Sequence, residues 1–279
     1  MRLFLVAFSL AAFGQTPQAI FTDPPHDAAH PATMSVEHIP SHGIAINSVV
    51  YQAAGAGLHP TLVICHGLPG NEKNLDLAQA VRRAGWNAVT FNYRGSWGSP
   101  GSFRFAQNLE DANAVLAYFR DPKTAARLQV DTTKIVLAGH SMGGWVTVHT
   151  AAHDPGLKGV ILISAWDAGK AGATTPAEKL EAEMAEDMES LAGTNPKTMA
   201  RELIVNAKQF SFAKVAEALR KTPILALTAD DGLADDTNAL VKAIGGTKVT
   251  LKHAATDHSW SDRRIELESL ILNWLGGLK

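Results

Sequence analysis

A single cysteine, Cys65, stands among the 279 residues, so no disulfide can close within the chain and no cysteine-built structural metal site can form. Stability has to come from a core. Charge of one sign is equally scarce: 25 Lys and Arg face 27 Asp and Glu, a formal charge of −2, without the basic excess that phosphate-backbone binding requires. Nucleic acid is not expected as a partner. Long apolar runs are missing as well, since the run over 3–13 is too short to span a bilayer and none later reaches that length. No stable membrane association is expected. There is no internal repeat and no H-E-x-x-H pair, so neither a solenoid nor a zincin-type metal site is expected.

What is present is a large apolar fraction, 46% of residues, enough for a sizeable core. The chain begins MRLFLVAFSLAAFGQ, one cation followed by an apolar run and small residues, which is the layout of a signal peptide. Residues 1–14 are therefore expected as a leader, 15–33 as a Pro-containing linker and 34–279 as one domain, exported to the periplasm or secreted. Lone Cys65 lies in an apolar run and reads as a buried small side chain.

Beyond the linker, SVEHIP and IAINSVVYQ read as a strand pair around a turn at 41–43, followed by the compact apolar strand TLVICH. Strands and helices then alternate: a helix over 75–84, NAVTFNY, a helix over 109–119, KIVLAG, a helix from about 141, GVILIS, PILALT, KVTLKH and a last helix over 263–275. Unbroken Val/Ile/Leu strands separated by helices predict an α/β fold whose mostly parallel sheet is covered on both faces, with the leading pair as its antiparallel edge. Residues 165–222 interrupt the alternation. Their length and the spacing of Leu180, Met184, Met188 and Leu191 predict a helical insertion with one helix over 177–191, its acidic residues forming a solvated face.

The stretch VLAGHSMGGWV places Ser141 between Gly139 and Gly143 where a strand ends and a helix begins. A serine hydroxyl becomes a nucleophile only if it is exposed, close to a base and near donors for the developing oxyanion. A sharp strand-to-helix turn supplies exposure and donors together, and the amide of Met142 is the donor from the first helical turn. At these residues the chain resembles the α/β-hydrolase superfamily, from about residue 35 to the end. HGLPG at 66–70 is similar to that family's second oxyanion loop, which implies the amide of Leu68, and NYRGSWGSPGSFRF at 92–105 resembles a segment of prolyl-oligopeptidase-like members and related esterases.

The resemblance implies an α/β-hydrolase fold with a helical cap and a triad in the order Ser, acid, His. For the acid, PILALTADDGLADD offers Asp231, which matches the family's Asp before an apolar pair, with Asp230 as the alternative; Asp235 and Asp236 are expected to cap the next helix. For the base, Asp257-His258-Ser259-Trp260 matches the family pattern after the final strand, and His253 is the weaker candidate. His66 and His140 are expected to support loop geometry, His149 and His153 to pack or face solvent. Arg94 is expected to hold its loop through backbone carbonyls. Trp97 and Trp166, together with Phe103 and Trp260, are candidates to line an acyl pocket. The implied activity is hydrolysis of carboxylic esters through an acyl-enzyme, without cofactor or metal, on a small-molecule ester or a short peptide. A serine peptidase of prolyl-oligopeptidase type and a non-catalytic binding protein on the same fold are the alternatives; oligomeric state is not legible.

Overall fold

The computed structural model describes residues 15–278; the expected leader at 1–14 lies outside the described residues. Eight strands form one sheet in the order β1-β2-β4-β3-β5-β6-β7-β8: β1 Thr33–Ser41, β2 Ile44–Gln52, β3 His59–Cys65, β4 Asn87–Phe91, β5 Val130–His140, β6 Gly159–Ile163, β7 Ile224–Ala229 and β8 Val249–Ala254. β2 runs antiparallel to both β1 and β4, and every pairing from β4 to β8 is parallel. The α/β architecture and its antiparallel edge agree with the sequence reading.

Two-residue periodicity divides the sheet's side chains between two cores. Val63, Cys65, Leu137, Leu162 and Ala226 face one side, under α2 (Phe105–Arg120) and α4 (Met142–Ala152). Leu62, Ile64, Val136, Ile161 and Leu225 face the other, under α1 (Leu75–Arg83) and α10 (Arg264–Gly277). Strands covered on both faces have no solvent side, which is why they are uniformly apolar in sequence. The stretch before β1 also touches this body: Gln18–Ile20 forms a 3-10 turn whose Ala19 and Ile20 pack on the second core. Arg83 donates to the Ala19 and Ile20 carbonyls at 2.5 and 3.1 Å.

Three elements differ from expectation, the first and third in ways that involve residues remote in the chain. α2 starts at Phe105 rather than 109, because the carboxylate of Glu202 accepts the N–H groups of Phe105 and Ala106 at 3.1 and 2.8 Å, a cap supplied from nearly a hundred residues away. A short helix α3, Pro122–Arg127, follows it, capped by Asp121. Between β6 and β7 the insertion folds as α5 (Ala168–Thr174), α6 (Ala177–Ala185), α7 (Pro196–Phe210) and α8 (Phe212–Val215). The helix expected over 177–191 stops at Ala185, and the end of that span, at Ser190 and Ala192, is bonded to another segment instead. Trp97 N–H donates to Ser190 O at 2.9 Å, Ala192 N–H to Gly95 O at 2.8 Å and Phe103 N–H to Ala192 O at 2.9 Å. The cap is thus sewn to the 93–105 loop along its far edge.

The last named helix, α9 (Ala234–Ile244), has Leu233 at its N-cap. Asp235 and Asp236 lie in its first turn, where negative charge suits the helix dipole, but neither caps it, and the Asp236 carboxylate is taken by Lys170.

Candidate active site

Leu68, Ser141, Asp231 and His258 follow the carboxyl ends of β3, β5, β7 and β8, the edge where open α/β sheets gather their sites. Ser141 occupies φ 55°, ψ −120°, a left-handed conformation that an L-residue holds only under strain. Its carbonyl accepts N–H groups from Gly144 at 2.9 Å and Trp166 at 3.1 Å, while its own N–H donates to Ile163 O at 3.0 Å. The backbone of the turn is therefore pinned on both sides, and Ser141 lines a cavity.

The flanking glycines serve close approach. A Cβ on Gly139 would lie 2.0 Å from Gly143 O, and one on Gly143 would lie 2.1 Å from Cys65 O. The positive φ belongs to Ser141 itself, whereas Gly139 and Gly143 let α4 start directly against the strand ends. Both contacts are to backbone, which cannot swing aside. Gly143→Ala is expected to cost at least ~1–3 kcal/mol, read as a melting temperature lowered by several degrees; an unchanged melting temperature would show that the turn can open.

The two adjacent aspartates separate cleanly. Asp231 is 2% exposed, and its Oδ2 lies 2.8 Å from Nδ1 of His258. Asp230 is 64% exposed and pairs instead with His253 Nε2 at 3.1 Å. Burial acts to raise the Asp231 carboxyl, but the His258 hydrogen bond and the Leu233 N–H, donated at 2.9 Å, outweigh it and hold the group below its ordinary value. A carboxylate acceptor makes His258 donate from Nδ1 and leaves Nε2 with its lone pair, the arrangement required of a base. The Asp–His leg is formed; Ser141 Oγ closes no hydrogen bond to His258 among the described residues, a leg that hydrolases often tighten only around substrate.

The opposing loop, 66–70, is held by neutral, buried groups. His66 is shifted down to about 4 by burial, lies 4.6 Å centroid to centroid from Tyr93, and its Nδ1 donates to Gly67 O at 2.7 Å. Arg94 is held chiefly by carboxylates rather than by the backbone carbonyls expected: Nε donates to Asp111 Oδ1 at 2.7 Å and Nη2 to Glu110 Oε2 at 2.5 Å, and the Gln107 carbonyl at 3.2 Å is secondary. Among the described residues, neither the Leu68 N–H nor the Met142 N–H is consumed by a loop or turn backbone bond. Both residues line one cavity of about 180 Å³ with Ser141, Trp166, Met184, Leu233, Glu183 and Asp187.

That lining corrects the aromatic assignments. Trp166 faces the cavity, but Trp97 does not: its indole N–H donates to Pro69 O at 2.6 Å, and Lys73 Nζ sits 4.1 Å over its ring, beside a separate surface depression. Phe103 and Trp260 are fully buried in the two cores. Sequence reasoning missed Met184, Asp187 and Leu233. Met184 carried a signal in its helical spacing, whereas Asp187 lies past the end of α6 where no periodicity operates.

The chain belongs to the alpha/beta hydrolase family, whose model matches residues 62–271. Cutinase 2 of Thermobifida cellulosilytica is 25% identical over 123 residues, 43% of this chain and 45% of that protein. The chain spans less than half the length of the curated relatives it matches. Among solved structures, a Pyrobaculum calidifontis esterase aligns with TM-score 0.63 at 19% identity, covering 89% of this chain and 86% of that one. An acylaminoacyl peptidase of Pyrococcus horikoshii aligns with TM-score 0.66 at 18% identity, covering 88% and 41%. At those identities the structures share the fold alone.

Proposed function

We propose that the protein is a serine hydrolase that cleaves carboxylic esters through an acyl-enzyme. The observation that carries this reading is the convergence, at one sheet edge, of a strained Ser141, a buried Asp231 bound to His258, and two uncommitted amides on one cavity. In this reading His258 Nε2 takes the Ser141 proton as Oγ attacks the ester carbonyl. The Leu68 and Met142 amides hold the oxyanion, a donor pair of which each member contributes about 3 kcal/mol to such barriers. The imidazolium, stabilised by Asp231, then protonates the leaving alcohol, and water releases the acyl group by the same route.

The sequence likeness to a cutinase supports ester chemistry, and the small cavity supports a short acyl group, since it lies below the roughly 300 Å³ from which drug-sized ligand sites begin. In a nitrophenyl ester series from acetate to octanoate, the optimum is expected at four carbons or fewer. Turnover confined to aminoacyl anilides would replace this reading by the peptidase one. A folded protein that neither turns over esters nor reacts with a serine-directed phosphonate would leave a binding protein on this fold.

The cavity's charge sets a second expectation. Asp187 is pushed above the ordinary carboxyl value by burial and by Glu186 and Glu189, and it faces the same space as Ser141. A free carboxylate on the acyl group would meet this charge. Asp187→Asn is expected to improve turnover of a nitrophenyl hemisuccinate relative to the butyrate by about 5-fold; an unchanged ratio would place Asp187 out of reach of the acyl group. We also propose that residues 1–14 direct export and are removed, which N-terminal sequencing of the mature protein tests directly.

A further inference from the structure

His140 has no part in the chemistry proposed above, yet it joins the end of the strand before Ser141 to His258. It is the last residue of β5, 4% exposed, immediately before Ser141. Its Nε2 lies 2.9 Å from the backbone carbonyl of His258, and the two rings sit 4.6 Å apart at 44°. A carbonyl can only accept, so Nε2 carries the proton and Nδ1 the lone pair. Nδ1 is buried and has no partner among the described residues. Leaving a buried acceptor unsatisfied costs free energy, and the side chain accepts that cost while its other nitrogen is spent on the base's own backbone.

Resting on the serine-hydrolase reading, we propose that His140 is a positioning residue that tethers the His258 loop to the nucleophile turn and sets the reach of the base to Ser141. The other contacts of that loop lead elsewhere. Asp230 N–H donates to Thr256 O at 3.1 Å, Arg264 donates to Ser259 O at 3.0 Å, and the Thr256 hydroxyl is bonded to Asp262. Asp231 orients the ring of His258 from β7. His140 is the contact in this set that links the backbone of the base to the strand carrying the nucleophile. Burial holds its ring down to about 4, so it stays neutral beside a partner that must become an imidazolium during turnover.

The test compares His140→Phe, which keeps a ring but removes the donor, with His140→Gln, whose amide can donate from a similar reach. For each, the number of active sites is titrated with a fluorophosphonate, and kcat, KM and the phosphonylation rate are measured per titrated site. His140→Phe is expected to lower kcat and phosphonylation together by about 30-fold, the scale of a sub-ångström misplacement of a reacting group. KM should stay within about twofold and His140→Gln should recover most of the loss. Merely structural damage would instead reduce the number of titratable sites and leave kcat per site intact. A His140→Phe protein with wild-type kcat per site, or a His140→Gln protein as slow as it, overturns the tether. If His140→Phe does not fold, ring ¹⁵N shifts of the wild type decide: an Nε2–H tautomer supports the proposal and an Nδ1–H tautomer sinks it. A folded wild type that takes no phosphonate overturns the hydrolase reading itself, whereas labelling at equal rates in wild type and His140→Phe overturns only the tether.

Discussion

Replacing Ser141 by alanine is expected to lower kcat/KM for a short nitrophenyl ester by about 10⁴-fold or more, the scale on which serine hydrolases respond to loss of the nucleophile. The same position carries a second, opposite expectation. At φ 55°, ψ −120° the side chain is tolerated only because Gly139, Gly143 and the hydrogen bonds to Ile163 and Trp166 leave the backbone no other path. Strain of this kind amounts to roughly 1–3 kcal/mol, and glycine, lacking Cβ, relieves it. Ser141→Gly should therefore be inactive and melt several degrees above the wild type, by calorimetry or circular dichroism. Gain of stability together with loss of activity would identify the turn as a place where the fold holds strain for chemistry. A Ser141→Gly protein that melts lower would mean that the hydroxyl itself stabilises the turn.

The second large effect distinguishes two neighbouring carboxylates. Asp231→Asn is expected to reduce kcat by about 10⁴-fold with little change in KM, because an amide facing Nδ1 can donate as well as accept and so permits the wrong imidazole tautomer. Asp230→Asn should leave kcat within about twofold, since its partner His253 lies outside the cavity and both groups are exposed to screening solvent. Steady-state kinetics of the two variants decide the matter. Equal losses would mean that the Asp230–His253 pair positions the Asp231 turn rather than standing apart from it.

The strands were legible because a doubly covered sheet demands unbroken apolar runs, and TLVICH, KIVLAG, GVILIS and PILALT have no alternative use in an α/β core. Ser141 was legible for a related reason: Gly139 and Gly143 are required wherever a helix starts against strand backbone at van der Waals contact. Other features depended on partners remote in the chain. Glu202 caps the start of α2 at Phe105, and the 190–192 stretch bonds to the 93–105 loop instead of continuing a helix. No local propensity contains either fact.

The site divides along the same line. Its order along the chain, a serine between glycines, an acid after one strand and a histidine after the last, was implied by the resemblance to the α/β-hydrolase superfamily, and each candidate then fell at an identifiable strand end. The choice between Asp230 and Asp231 rested on a resemblance until the structure supplied the burial of one and the exposure of the other. Trp97 reads as a pocket aromatic, but the Pro69 carbonyl and the Lys73 ammonium hold it elsewhere. The sequence by itself determined the sheet, the turn at Ser141 and the strand ends that Asp231 and His258 follow, because periodicity and glycine placement are local signals. Only the tertiary structure decided which aspartate meets His258, which side chains wall the cavity and that His140 is bonded to the backbone carbonyl of His258. Those are contacts between segments far apart in the chain, set by how the strand ends and the cap close over one another.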